Sequence, residues 1–426
     1  MYIAQQLAAQ AVSQVFAGRN LTVTLEAIFR EHASITPQQR AVTQDLSYGT
    51  LRFYGQLQAL LTQLLEKPLP DEWLRCLLLV AIYQLTHDKA APHTVVDQAV
   101  KAASQFKKSW AKGLVNAVLR NFLRQHVELM QKISVNEVAI YSYPQWWINK
   151  LKTQYPQQWQ CVLEAGNQHP PMTLRVNQRH SNAADYCLKL VNQGLEARTI
   201  GDYAVALAKP LPVDKIPGFS EGEVSVQDYG AQFAASLLDV SAGLRVLDAC
   251  CAPGGKTGHI LELADVNLVG LDSDNQRLQR TRSNLHRLQF EADLVTGNAA
   301  NPQGWWDGVP FDRILADVPC TASGIIRRHV DIKWLRREAD VASFTAQQAL
   351  ILRGLWQLLA KGGKLLYATC SIFHEENQRQ IEKFLEGQAD AVQLPLPSLQ
   401  NALPQHGQLL PCAEHDGFFY ALLQKN

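Results

Sequence analysis

The chain has 426 residues, 47% of them hydrophobic and 19% charged, which is too long for one ordinary core and too apolar for global disorder. Its 40 Lys+Arg against 39 Asp+Glu leave a formal charge of +1, excluding a histone-like polycation and an acidic tail protein but not a local basic face. Met1–Gln10 lacks a charged stretch followed by an apolar one, and the longest unbroken apolar run, Cys76–Tyr83, is too short to span a bilayer. A cytoplasmic protein without a membrane partner is expected. The 8 cysteines are scattered in a chain without export signals, which predicts neither a disulfide framework nor a zinc site, and no metal is expected. Cys251 and Cys412 read as packing residues.

The N-terminal part predicts helix after helix. Leu7, Ala11, Val15 and Phe16 recur at helical spacing. A helix is expected after Ser47-Tyr48-Gly49-Thr50, with Leu51, Tyr54, Leu57, Leu61, Leu64 and Leu65 on one face. Asp71-Glu72 opens another, with Leu74, Leu77, Leu78, Ala81 and Ile82 as its stripe. Residues 1–140 are therefore expected to form an all-α bundle. Between Lys101 and Lys132 a run of basic residues faces a single acid, Glu128. A one-signed stripe raises local potential and releases counterions when it meets a polyanion. Lys101, Lys107, Lys108, Lys112, Arg120 and Arg124 are thus candidate RNA contacts, with a solvated helix face as the plainer alternative.

Residues 141–222 predict a small α/β connector, with strands at Met172–Asn177 and Tyr203–Leu207, a helix at Ala183–Gln193, and turn chemistry at Pro210, Pro212 and Pro217-Gly218. From residue 223 strands and helices alternate. Leu244–Leu247, Val266–Leu271, Leu294–Val295, Arg313–Ala316 and Gly363–Ala368 read as strands, and Asn275–Leu288 and Gln347–Ala360 as helices. The pattern predicts a doubly wound, Rossmann-like parallel sheet whose ligands lie at the carboxyl ends of its strands.

The first strand runs into Asp248-Ala-Cys250-Cys251-Ala252-Pro253-Gly254-Gly255-Lys256-Thr257, where the glycines permit close approach of backbone to a ligand. Asp272 ends the second strand, where a carboxylate accepts from ribose hydroxyls. The turn is neither the dinucleotide G-x-G-x-x-G nor a complete phosphate-binding loop. An adenosine cofactor without phosphate, S-adenosylmethionine, fits what remains.

Two further strands end in Asp317-Val-Pro-Cys320 and Thr369-Cys370-Ser371. Thiols at two strand ends suit methylation of an unreactive aromatic carbon. A thiolate adding at carbon 6 of cytosine makes carbon 5 nucleophilic, dividing one hard step into easier ones. Asp317 is placed to hold the base edge, with Lys256 a possible auxiliary.

The turn at 250–257, Asp317-x-Pro319-Cys320, Thr369-Cys370-Ser371, Asp416-Gly417-Phe418-Phe419 and Val226-Gln227-Asp228 together resemble the RNA 5-methylcytosine methyltransferases. The helical part resembles the NusB-type RNA-binding bundle, so the resemblance spans nearly the whole chain. It implies Cys370 as nucleophile and Cys320 as the group assisting product release, whereas DNA cytosine methyltransferases use their Pro-Cys cysteine as nucleophile. It implies cofactor contacts at Cys250, Cys251, Ala252, Pro253, Gly254, Gly255, Lys256, Asp272 and Asp317. Asn298 stands where the family usually has an aspartate near the adenine; Val318 and Cys251 replace commoner alanines. A target in 16S ribosomal RNA, in the loop of helix 31, is implied, with naked RNA or an early assembly intermediate bound by a monomer. Arg175, Arg327 and Arg328 join the candidate RNA contacts, the latter two in a basic run with His329, Lys333, Arg336 and Arg337. A non-catalytic RNA-binding factor, a methyltransferase acting on tRNA or another RNA, a DNA methyltransferase and a nicotinamide-dependent dehydrogenase are the alternatives. Pure binding requires neither thiol, and the dehydrogenase lacks its glycine fingerprint.

Overall fold

The computed structural model describes residues 2–87, 90–104, 110–396 and 406–426. The chain forms two compact units, Met1–Gln168 with Ile326–Glu338, and His169–Ile325 with Ala339–Asn426. Among the described residues no helix is long and apolar enough to cross a membrane.

The first unit is helical. Along the chain it holds α1 (Tyr2–Phe16), α2 (Leu21–Glu31), α3 (Pro37–Arg52), α4 (Tyr54–Leu64), α5 (Glu72–His87), α6 (Pro92–Ser104), α7 (Trp110–Ile133), α8 (Glu137–Tyr141), α9 (Gln145–Gln154) and α10 (Trp159–Gly166). Local chemistry sets several starts. Asn20 caps α2, and Thr36 with Gln39 forms a capping box on α3, with Pro37 in the first turn. The run Ser47–Thr50 lies inside α3, and the helix expected after it is α4, which begins at Tyr54. Gly49 is there because a Cβ would lie 1.9 Å from the Tyr83 ring of α5, so close helix packing, not a turn, requires the glycine. The helical unit also continues past residue 140. Gly55 of α4 packs on the Val138 carbonyl of α8, and the Gln56 N–H donates to Ser142 Oγ at 3.2 Å.

Ile326–Glu338, carrying α15 (Ile332–Leu335), belongs to this helical unit. Asp331 accepts from Leu21 N and Asn20 Nδ2 at the start of α2, each at 3.0 Å. Lys333 is fully buried, donates to the Arg52 carbonyl and Asn167 Oδ1 at 2.8 Å each, and lies 4.3 Å from the Tyr143 ring centroid. Arg327 is buried too, its carbonyl accepting from the Arg52 guanidinium at 3.1 Å. The expectation of RNA contact at Arg327 and Lys333 is therefore corrected: both side chains are buried inside the helical unit. Arg328 is half-buried.

The second unit begins with a four-stranded antiparallel sheet. It is built from β1 (Met172–Val176), β2 (Ala197–Thr199), β3 (Ala204–Leu207) and β4 (Val224–Val226) in the order β2-β3-β1-β4, with α11 (Ala183–Asn192) packed on it. The larger sheet follows, through α12 (Tyr229–Leu237), β5 (Arg245–Ala249), α13 (Gly255–Leu263), β6 (Asn267–Asp272), α14 (Asn275–Arg287), β7 (Asp293–Thr296), β8 (Phe311–Asp317), α16 (Glu338–Leu358), β9 (Leu359–Thr369), α17 (Gln378–Gly387), β10 (Ala391–Leu394), β11 (Gln408–Leu409) and β12 (Phe418–Lys425). Its order is β10-β12-β9-β8-β5-β6-β7, with β11 on β12.

Strands β7, β6, β5, β8 and β9 are parallel; β12 and β10 add antiparallel pairs. The sheet is therefore mixed rather than wholly parallel. Both faces are covered, so alternate residues serve different cores: Ile314 and Ala316 pack with α16, while Leu315 packs with α12 and α13 residues. Burial on two faces explains the near-continuous apolar runs of β8, β9 and β12.

Arg175, expected as an RNA contact, is fully buried on β1. Its guanidinium donates to both Glu262 oxygens at 2.6 and 2.8 Å, to Gln227 Oε1 at 2.5 Å and to the Gly255 carbonyl at 2.7 Å. It ties the small sheet to α13 and cannot reach a nucleic acid. Removing one member of such a pair strands a buried charge. Glu262→Ala is expected to destabilise the second unit by about 3–5 kcal/mol, read as a lower midpoint for its transition in urea; an unchanged midpoint would contradict this.

Candidate functional site

The carboxyl ends of β5, β6, β8 and β9 are in register: Ala249 pairs with Leu271 and Ala316, and Ala316 with Tyr367. The strand order reverses between β5 and β8, the position where open α/β sheets bind ligands. Leaving β5, Cys250 takes φ +65° and Gly254 φ +91°. A Cβ on Gly254 would lie 2.8 Å from Thr281 Cγ2 of α14, so sterics as well as backbone angle demand glycine. Asp272, buried at the end of β6, accepts from Ala252 N at 3.2 Å and Asp274 N at 3.0 Å. It thereby holds the turn against the second strand.

Three carboxylates converge here. Asp248 is buried, receives Thr257 Oγ1 on one oxygen at 2.7 Å and has no hydrogen-bond partner on the other. Burial pushes its pKa up to about 7. Asp317 receives Lys256 Nζ at 2.6 Å. Burial alone would lower the Lys256 pKa, but Asp317 outweighs it and holds the ammonium above its ordinary value. An acceptor oxygen left open beside Asp272 and Asp317 fits a ligand that brings positive charge and donors. Burial, then Asp317, Asp272 and Asp248, push the Cys250 thiol up to about 12, and burial pushes Cys251 up as well. Neither is a nucleophile near neutral pH. Asn298, exposed beyond β7, spends its amide oxygen on Ala300 N at 2.9 Å.

The β8–β9 pairing brings Cys320 and Cys370 together, with their sulfurs 3.4 Å apart. Asp317 pairs with Ala368, and Val318 N donates to the Ala368 carbonyl at 3.1 Å, so the ladder continues into both cysteine loops. Cys320 is buried and Cys370 half-buried. The hydrogen bond with Cys370, then burial, push the Cys320 thiol well up. Gly324 N donates to the Cys370 carbonyl at 2.9 Å, and Gly417 N to the Gly324 carbonyl at 2.8 Å. A Cβ on Gly324 would lie 2.2 Å from the Gly417 carbonyl oxygen. The Asp416-Gly417 motif is thus a backbone brace for the Pro-Cys loop, and Asp228, which caps α12, receives the Asp416 N–H at 3.2 Å.

Sequence reasoning missed a buried network behind the thiols. Glu376, Gln348, Asn377 and Gln408 bond to the two cysteine loops: Asn377 Nδ2 donates to the Ser371 carbonyl at 2.8 Å, and Asn377 Oδ1 accepts from Thr369 Oγ1 at 2.6 Å. The available signal was Glu375-Glu376-Asn377, polar residues a few positions beyond a buried strand end. Cys412, expected to pack, is exposed, because it lies in the irregular stretch between β11 and β12.

On the helical unit, Lys112, Arg120 and Arg124 are exposed along α7, the two arginines donating to Asn116 and Asn121. Exposed Lys101 pairs with Asp97 at 2.8 Å. Lys107 and Lys108 lie outside the described residues.

Residues 235–424 match the family model for the 16S rRNA methyltransferase RsmB/F, residues 143–214 the RsmF/B-like ferredoxin-like domain, and residues 3–124 the NusB family. The ribosomal RNA small subunit methyltransferase B of Yersinia enterocolitica is 42% identical, over 100% of this chain and 99% of its own. That of Pseudomonas putida is 42% identical, over 98% and 97%. Among solved structures, a methyltransferase homolog protein from Pyrococcus horikoshii is 26% identical over 68% of this chain and 97% of its own, with a TM-score of 0.60. Matched along its whole length at this identity, the chain belongs to the RsmB/F family of 16S rRNA methyltransferases.

Proposed function

We propose that this protein is an S-adenosylmethionine-dependent enzyme that forms 5-methylcytosine in 16S ribosomal RNA. The observation that carries the reading is the pair of sulfurs 3.4 Å apart at the shared carboxyl edge of β8 and β9. The relatives' names supply the substrate class. Residues 250–256, Asp248 and Asp272 would hold S-adenosylmethionine, which would supply an electrophilic methyl group. Its sulfonium and ammonium suit a site with three carboxylates, and its lack of phosphate suits a turn without a phosphate cradle.

A cytosine must leave its stack to reach this edge. Cys370, the more accessible thiol, attacks carbon 6 as thiolate; the sulfur–carbon bond forms and the 5,6 double bond becomes an enamine. Asp317, partly exposed and steadied by Lys256, holds the base edge and favours a proton on nitrogen 3. After carbon 5 is methylated, a general base takes the carbon-5 proton, the freed pair restores the 5,6 double bond, and the sulfur–carbon pair returns to Cys370, with Cys320 assisting release. Lys112, Arg120 and Arg124 supply phosphate contacts that position structured RNA without reading sequence.

Cys320→Ala, purified from cells and run on a denaturing gel with and without ribonuclease, is expected to accumulate a ribonuclease-sensitive RNA–protein band. Adding Cys370→Ala should abolish it. No band from a variant whose parent methylates RNA would reverse or remove the two-cysteine assignment. Calorimetry gives a separate check on the cofactor turn: Asp272→Ala is expected to weaken S-adenosylmethionine binding by about tenfold or more, since a charged hydrogen-bond acceptor contributes about 1.5–3 kcal/mol, and unchanged affinity would place the cofactor elsewhere.

A further inference from the structure

Helix α14 follows β6 directly, so it starts at the carboxyl edge where the candidate site lies, yet its outer face takes part in no step above. It packs against the glycine turn after β5. Arg277 Nη2 donates to the Ala252 carbonyl at 2.8 Å and lies near Asp272, with Nη1 at 3.5 Å from its carboxylate. Asn284 Nδ2 donates to the Gly254 carbonyl at 3.4 Å. The helix buries Leu278, Thr281 and Leu285 and exposes Gln276, Arg277, Gln279, Arg280, Arg282 and Ser283.

Charge on this helix is one-signed. Asn275–Arg287 holds four arginines and no acid, while the whole chain carries only +1, so the rest of the chain is net negative. Arg287 is spent inside the unit, on the Phe219 and Val224 carbonyls at 2.6 and 2.9 Å and on Ser225 Oγ at 3.0 Å. Arg280 and Arg282 are not. Among the described residues neither pairs with a carboxylate, and Arg282 meets only the Gln279 amide oxygen at 3.1 Å. Elsewhere on the same unit Lys189, Arg198, Arg245 and Lys364 each have a carboxylate partner. Helix stability does not account for the pattern either. Arg277 lies in the first turn, where the helix dipole disfavours a cation, and Arg280 stands three residues on, where like charges repel.

A helix face of exposed guanidiniums and amides, without an aliphatic or aromatic anchor, lacks what centres a protein interface and has what a polyanion requires. Arg277 to Arg282 rises about 7.5 Å along the axis, the length that about two nucleotides of a stacked strand cover. A cytosine that enters the site at the carboxyl edge leaves its neighbours outside that edge, where α14 begins.

We propose that the outer face of α14 is an RNA-backbone contact surface of the second unit: Arg280 and Arg282, with Arg277 beside the turn, take phosphates that flank the extruded cytosine. Such contacts fix register and carry no sequence information. The inference rests on the reading of this protein as an enzyme acting on RNA.

The test is filter binding of the full-length protein to a 16S ribosomal RNA transcript between about 50 and 200 mM KCl. Arg280→Gln combined with Arg282→Gln is expected to weaken binding about tenfold or more and to make the slope of log K against log salt shallower by about 1–2. Arg280→Lys combined with Arg282→Lys keeps the charge and is expected to keep the slope. Unchanged affinity in the glutamine pair overturns the inference, and so does weaker binding at an unchanged slope, because phosphate contact must move both. Calorimetry with S-adenosylhomocysteine verifies that each variant folds. Should the glutamine pair fail to fold, ultraviolet crosslinking of the native protein to the transcript decides: peptide mass spectrometry must find nucleotide on residues 275–290, and crosslinks confined to other peptides overturn the inference. The Cys320→Ala adduct separates this from the underlying reading. An adduct together with an insensitive glutamine pair removes only the role of α14; a native protein that neither binds the transcript nor yields an adduct removes both.

Discussion

The parallel pairing of β8 with β9 is the constraint on which the rest of the site depends. Asp317 beside Ala368 places two strand exits side by side, and the loops leaving them have no option but to share one edge. Fifty positions separate Cys320 from Cys370 along the chain, yet their sulfurs meet at 3.4 Å. Neither loop alone makes a thiol chemically special. The pair becomes special because each strand is locked, on both faces, into apolar cores that include Ile314, Leu315, Leu365 and Leu366, where each buried aliphatic side chain contributes about 1.5–3 kcal/mol.

Such a core would be featureless without polar staples, and the second unit has two. Arg175 and Glu262 join the small sheet to the helix that follows the glycine turn after β5, with the Gly255 carbonyl drawn into the same guanidinium. Glu376 joins the two cysteine loops. Both are buried charges with their hydrogen-bonding capacity matched, the condition under which buried charge is tolerated and specifies one arrangement. Each stands behind a reactive surface, where a shift of a fraction of an ångström would alter the chemistry.

The helical unit divides its basic residues by task. Arg52, Arg327 and Lys333 are buried inside it, Arg52 and Lys333 donating to backbone carbonyls and Lys333 lying against the Tyr143 ring, and serve its own stability. Lys112, Arg120 and Arg124 lie outside on α7, spaced so that one helix face carries them. Only the second set is available to a polyanion, so the count of basic residues in a segment is a poor measure of its potential at the surface.

Local sequence determined a good deal. Helical periodicity, the alternation of strand and helix after residue 223, and the glycine turn each depend on neighbours a few residues apart; β5, β6 and β8 fall within about two residues of the strands so expected. The motifs likewise named both thiols, Asp272 and Asp317. Tertiary structure decided the rest. Whether Arg175 and Arg327 meet solvent depends on what packs over them from segments far along the chain. That β12 enters the sheet antiparallel depends on pairing across about 50 to 60 residues, and that Gly417 braces Gly324 on a bond across about 90. Glu376 carries no motif of its own and acquires meaning only where Thr321 and Ser371 converge on it. Periodicity reports which face of an element is apolar; it carries no information about which distant polar group will be buried against it, because that is settled by hydrogen-bond partners brought together only when the chain closes on itself.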